Sequence, residues 1–241
     1  MADGEGMVAL LAGASGLAGG YALDALLEAP DVRRVVAVSR RPLGREHSRL
    51  ANRIVQFAHL EAQLQGTRCD VALCGLGTTR AQAGSAQHFR EAELGCVLGF
   101  GRAAKAAGVR RFVVISSVGA DPGARNPYLR TKGEIEQRLT DLGFASLDIL
   151  QPSLLLGWRR EMRFFELAAR LIAPLVNPLL PGRYLPYRAI PARTVGCAMV
   201  GAVYLGRLGV QRYTFEGIEA LARIAAGRVR AAAHPKALGT K

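Results

Sequence analysis

Lysine is scarce in this chain although positive charge is not. Of 32 basic residues, 28 are Arg and four are Lys: Lys105, Lys132, Lys236 and Lys241. Cysteine is scarce too. Cys69, Cys74, Cys96 and Cys197 form no CxxC pair and stand in no histidine-rich stretch. A zinc site and a disulfide framework are therefore not expected, no metal is assigned, and a reducing cytoplasm is the expected location. The opening MADGEG is acidic and does not read as a signal peptide. A long uninterrupted apolar run is missing. The longest apolar region, FFELAARLIAPLVNPLLPG, is broken by Glu166, Arg170 and three prolines, so neither a membrane span nor peripheral membrane contact is expected.

Net charge is +13, which raises the question of an anionic partner. Its distribution is uneven. Residues 1–32 carry five acids and no Lys or Arg, whereas 159–193 holds seven arginines against two glutamates. No helix-turn-helix, zinc-finger or RNA-binding signature accompanies that zone, so nucleic acid is not the expected partner and the zone reads as a basic surface.

Half of the residues are apolar, enough for a sizeable core. Short β-rich apolar runs alternate with longer amphipathic ones. Strands are expected at 7–13, 33–39, 53–58, 70–77, 110–119 and 145–153, with helices at 16–29, 88–108 and 126–143 between them. Gly108 is placed to end the second of these helices. Such alternation implies an α/β fold with a doubly wound parallel sheet. After about residue 153 the rhythm changes, and five prolines fall between 174 and 191. A helix at 192–207, a short strand at 211–215 and a helix at 216–226 are expected there. We read the chain as one domain over 1–241. Within it, 154–215 would form a small irregular C-terminal lobe covering the substrate, and 228–241 a flexible basic tail.

The stretch AGASGLAGG places Gly13, Gly16 and Gly19 at three-residue spacing between the first expected strand and the first expected helix. In that context glycines permit a tight turn, close approach of a pyrophosphate to the backbone, and close packing of helix on strand. The helix N-terminus supplies free N–H groups to the phosphates. The second strand ends in Ser39, Arg40 and Arg41, where an acid would bind the ribose 2′-hydroxyl of NAD. Its absence and the two arginines favour NADP(H) over NAD(H).

Asn126-Pro127 is a helix start, Asn as N-cap and Pro in the first turn. Tyr128 and Lys132 then share one face at i and i+4. A free tyrosine, with a pKa of about 10, is a poor proton donor near neutrality, and a neighbouring ammonium stabilises the phenolate. In a chain that uses Arg almost everywhere, this position is Lys, a compact charge on a flexible stem. Ser116 and Ser117 end a strand at the carboxyl edge, where such sheets bind ligands. A serine hydroxyl there can hold a carbonyl oxygen while tyrosine delivers the proton.

These residues resemble the short-chain dehydrogenase/reductase superfamily in its atypical or extended branch, which is epimerase/dehydratase-like. LCGLGTTRAQAGS, VVISSVGADPGARNPYLRTKGEIE and LQPSLLLGWR are similar to the group that includes the eukaryotic Tat-interactive oxidoreductase-like protein. The likeness covers roughly residues 7–220. It implies a Rossmann fold binding NADP(H), with Gly13, Ser15, Gly16 and Leu17 along the pyrophosphate and Arg40 and Arg41 near the 2′-phosphate. Leu76, Gly77 and Thr78 would lie under the cofactor. Tyr128 would be the proton donor, Lys132 its activator and ribose ligand, and Ser117, rather than Ser116, the carbonyl binder. The helix at 88–107 offers Glu91 and Glu93 but no asparagine for the proton relay that many short-chain reductases use, and the chain is short for an extended member.

The expected function is NADP(H)-dependent oxidoreduction of a small-molecule carbonyl or alcohol. Two alternatives remain open: an NADPH-binding regulator or redox sensor with a protein partner, and an NAD-dependent sugar-nucleotide epimerase or dehydratase. The chain is expected to be a monomer or a homodimer.

Overall fold

Side chains of the first strand, β1 (Met7–Ala12), alternate between two cores, as the two-residue period of a strand requires. Ala9 and Leu11 enter one, and Val8, Leu10 and Ala12 enter the other. A strand buried on both faces belongs in the middle of a layered structure, and the computed structural model places it there. It describes residues 6–77, 86–157 and 182–233. Seven parallel strands form the main sheet: β1, β2 (Val32–Ser39), β3 (Leu50–Ile54), β4 (Val71–Cys74), β5 (Arg111–Ile115), β6 (Ser146–Leu150) and β9 (Gly209–Tyr213). Their order is β3-β2-β1-β4-β5-β6-β9. The short β7 (Leu155–Leu156) and β8 (Ile190–Pro191) pair apart from it.

Helices cover both faces. On one side lie α1 (Leu17–Glu28), α5 (Ala192–Leu205) and α6 (Phe215–Ala233). Glycines set how closely they pack. A Cβ on Gly196 would lie 2.5 Å from the Ala18 carbonyl oxygen, and one on Gly201 would run into the Leu221 carbonyl. On the other side lie α2 (Leu60–Gln63), α3 (Ala86–Ala106) and α4 (Pro127–Asp141). Phe100, Phe112, Ile135, Leu139 and Leu147 are buried beneath them. This is the doubly wound, Rossmann-like α/β fold expected. The chain leaves β1 towards β2 on one side and β4 on the other, so the ligand crevice opens at the carboxyl ends of β1 and β4.

The helix starts and stops follow the local chemistry. The Asn126 side chain accepts the Tyr128 N–H at 2.9 Å, with Pro127 in the first turn of α4. Gly108, at φ +84°, follows the end of α3.

The third strand differs from expectation. It spans Leu50–Ile54 rather than 53–58, and residues 57–63 turn into a 3₁₀ segment and α2. β3 is an edge strand with no fully buried side chain, so its apolar pattern is weak. Its place is held by polar contacts: Asn52 accepts from Leu43 N–H at 2.9 Å and donates to the Ala37 carbonyl at 3.1 Å.

In the stretch expected as a C-terminal lobe, α5 packs on α1 and β9 completes the main sheet. α6 runs to Ala233 rather than 226, so residues 228–233 of the expected tail are helical. Residues 159–181 of the basic zone, and the tail from 234, lie outside the described residues.

Candidate active site

The glycine loop closes tightly at the carboxyl end of β1. Gly13 has φ +86°, which an L side chain rarely adopts, and a Cβ there would strike the backbone of Gly75. A Cβ on Gly19 would land on the Gly13 carbonyl. Gly16 N–H closes the turn on that carbonyl at 2.8 Å. Gly16 is also the N-cap of α1, with no side-chain capping bond and no acid in the first turn. Backbone donors at the start of this helix therefore stand at the crevice beside a backbone that no Cβ shields. This cradle fits a dinucleotide pyrophosphate. Ser15 is exposed, and Gly16 and Leu17 are half-buried. Leu76 packs partly on the second core and Gly77 is exposed. Thr78 lies outside the described residues.

At the end of β2 the Ser39 side chain turns inward. Its hydroxyl donates to the Arg41 carbonyl at 2.7 Å and accepts from Asn52 at 2.8 Å. Arg40 and Arg41 are exposed. Among the described residues no carboxylate pairs with either arginine at this strand end.

β5, α3 and α4 meet around the second group. Lys132 is buried, and its Nζ lies 2.7 Å from the Glu93 carboxylate of α3 and 6.0 Å from the centre of the Tyr128 ring. Burial works against the ammonium, but the charge and hydrogen bond of Glu93, with the influence of Tyr128 and Cys74, together outweigh it and hold the lysine pKa above its ordinary value. Tyr128 is half-buried, with its ring 5.5 Å from that of Phe89. Cys74, at the end of β4, is held as a thiol: burial pushes its pKa up to about 12.

The two serines divide their roles. Ser116 is buried, and its hydroxyl donates to Glu136 at 2.6 Å. Ser117 is half-buried, and its hydroxyl makes only a long 3.4 Å contact with the Val118 carbonyl among the described residues. Ser117 is thus the more available of the two.

Sequence reading did not assign roles to Glu93 or Glu136. Glu136 is buried and accepts from Ser116, from Gln151 at 2.8 Å and from Arg212 at 2.9 Å. A signal for both existed. Phe89, Glu93 and Val97 follow each other at helical spacing on the buried face of α3, and Lys132, Ile135, Glu136 and Leu139 do so on α4. An acid inside an apolar stripe needs a buried partner.

Comparison with known proteins agrees with the fold. Residues 9–142 match the NAD dependent epimerase/dehydratase family. The protein fmp52, mitochondrial, of Aspergillus clavatus is 35% identical over 179 residues, covering 71% of this chain and 76% of its own length. The FMP52 protein of Candida albicans, also named mitochondrial, is 32% identical over 160 residues, with 64% and 70% covered. Among solved structures, a UDP-N-acetylglucosamine 4-epimerase from Methanobrevibacter ruminantium superimposes with TM-score 0.64 at 15% identity, covering 88% of this chain and 77% of its own. The Bordetella bronchiseptica enzyme WbmH, in complex with NAD+, gives 0.63 at 16% identity, with 86% and 75% covered. At such identities these two show the fold.

The relatives correct one expectation. Their mitochondrial names overturn the cytoplasmic location inferred from the cysteines. Unpaired thiols report reducing conditions, not a compartment. No helix among the described residues is long and apolar enough to cross a membrane. The chain belongs to the NAD dependent epimerase/dehydratase family and is an NAD(P)-dependent enzyme of the oxidoreductase type.

Proposed function

We propose that this chain is an NADP(H)-dependent oxidoreductase acting on a small-molecule carbonyl or alcohol, with Tyr128 as its acid–base group. The observation that supports this reading is Tyr128 beside the buried Lys132 on α4, whose ammonium is felt by Cys74 at the end of β4, the strand paired with β1 ahead of the Gly13 turn.

The first turn of α1 would bind the pyrophosphate through backbone N–H groups, and Arg40 and Arg41 would bind a 2′-phosphate. Leu76, Gly77 and Thr78 would line the floor. The chemistry a bound nicotinamide dinucleotide supplies is hydride exchange with a carbonyl or carbinol carbon. Ser117 holds the substrate oxygen, and Tyr128 gives it a proton in reduction or takes one in oxidation. Lys132 would stabilise the phenolate so formed and would hold the nicotinamide ribose.

Replacing Tyr128 by Phe tests the assignment. Turnover in a carbonyl screen with NADPH should fall by about 10²-fold or more, with cofactor affinity retained. Unchanged turnover would remove Tyr128 from the chemistry. If no carbonyl is reduced by the parent protein while NADPH binds, the reading as a cofactor-binding regulator takes its place.

A further inference from the structure

We infer that Asn52 and Ser39 are positioning residues for cofactor choice: their linked side-chain hydrogen bonds hold the segment carrying Arg40 and Arg41 in the arrangement that receives a 2′-phosphate. The inference rests on the NADP(H) reading given above and adds the residues through which the arginines are held.

The segment stands beside the dinucleotide cradle. Val38 pairs with Ala12 in the parallel ladder of β2 and β1. The residues that follow on the two strands, Ser39 and Gly13, therefore leave the sheet side by side, and Arg40 and Arg41 come next to the glycine turn. Burial pushes the Cys96 thiol of α3 up, and the charge of Arg40 opposes that rise, so the Arg40 guanidinium lies within electrostatic reach of α3.

Residues 40–49 join β2 to β3 without a helix or strand. A free segment of this kind would spread its arginines over many positions, and an anion would have to order it on binding. Here it is pinned from below. The Asn52 Oδ1 accepts the Leu43 N–H at 2.9 Å, while its Nδ2 donates to the Ala37 carbonyl at 3.1 Å and to the Ser39 Oγ at 2.8 Å. Ser39 is buried and passes the constraint on, its hydroxyl donating to the Arg41 carbonyl at 2.7 Å. The proton of that hydroxyl thus serves the protein and not a ribose. Pro42 fixes its own φ and keeps Arg41 out of the helical region. The far end of the segment is held separately. Arg45 meets Asp24 of α1 at 2.5 Å, and Arg49 donates to the Ala29 and Val32 carbonyls at 2.8 and 2.7 Å. Asn52 and Ser39 are therefore what sets the near end, where Arg40 and Arg41 sit.

The consequence is selective. The pyrophosphate would be held by backbone at the Gly13 turn and the start of α1, which these bonds do not touch. Loosening residues 40–43 lowers the fraction of molecules with both arginines in place, and apparent affinity falls with that fraction. The loss falls on the cofactor that carries a 2′-phosphate and spares the one that lacks it.

Calorimetric titration with NADPH and with NADH tests this in the parent, Ser39→Ala, Ser39→Thr and Asn52→Leu, all of which keep both arginines. In Ser39→Ala and Asn52→Leu, NADPH should bind about fivefold more weakly or worse, with NADH within about twofold of the parent. Ser39→Thr, which keeps the hydroxyl, should restore most of the NADPH affinity. Unchanged NADPH affinity in Ser39→Ala, or a loss shared equally by the two cofactors, would overturn the inference. If Asn52→Leu does not fold, Ser39→Ala and its threonine rescue decide alone. A parent that binds NADPH no tighter than NADH would remove the NADP(H) reading and the inference with it. A parent that prefers NADPH, with that preference kept in Ser39→Ala, would remove the inference alone.

Discussion

Ser116 and Glu136 are joined by a 2.6 Å hydrogen bond in the interior, between the end of β5 and the middle of α4. The same carboxylate accepts from Gln151 after β6 and from Arg212 on β9. One side chain therefore ties three neighbouring strand ends to the helix that carries Tyr128 and Lys132. Glu136→Ala should destabilise the protein by about 2–4 kcal/mol, because it strands buried donors. The Arg212 contribution is small, since half of that side chain is in solvent. Urea unfolding measures the loss, and a change under about 0.5 kcal/mol would contradict it.

Gly19 has no room for a methyl group. Gly19→Ala should push α1 away from the Gly13 turn, with a stability loss of about 1–3 kcal/mol and weaker dinucleotide binding. Gly20 is the comparison, since its Cβ would sit 3.5 Å from the Ala14 carbonyl, in ordinary contact. Gly20→Ala should bind cofactor as the parent does. Equal affinities for both variants in a calorimetric titration would contradict the cradle.

Asp148 on β6 is buried, and its Oδ1 has no hydrogen-bond partner among the described residues. Burial raises its carboxyl pKa, against the Ser146 and Tyr213 hydroxyls and the charges of Arg111 and Arg207. The native state thus binds this proton more tightly than the unfolded chain does. Stability from this group is highest below the unfolded value, 3.8, and is lost as pH rises through the folded value. Asp148→Asn should raise Tm by about 2–4 °C at pH 7, and by less near pH 4. An unchanged or lower Tm at pH 7 would contradict it.

Much of this was legible in the sequence, for local reasons. Asn126-Pro127 announces α4, Gly108 ends α3, and the Gly13–Gly19 spacing marks the turn, because each is a backbone requirement that few residues satisfy. β3 was misplaced because an edge strand buries little and carries no strong apolar alternation. α6 outruns its apolar signal: the buried stripe of Ile218, Leu221 and Ala225 ends inside the expected span, and the helix continues to Ala233 on residues that bury little. Glu93 and Glu136 were named or passed over without roles. Their partners, Lys132 and Arg212, lie 39 and 76 residues away in the chain, and only the fold brings them into reach.

Arg40 and Arg41 give the cofactor choice a direct handle. With both replaced by Ala, NADPH should bind about tenfold or more weakly, the equivalent of losing one charge-assisted hydrogen bond or more. NADH affinity should stay unchanged. A parallel loss for the two cofactors would mean that the arginines shape the loop and do not read the phosphate.

The most direct measurement is isothermal titration of the unmodified protein with NADPH and with NADH. A dinucleotide site at the Gly13 loop with Arg40 and Arg41 at its rim predicts that NADPH binds about tenfold tighter or more. NADH binding as tightly as NADPH, or binding of neither, would contradict it.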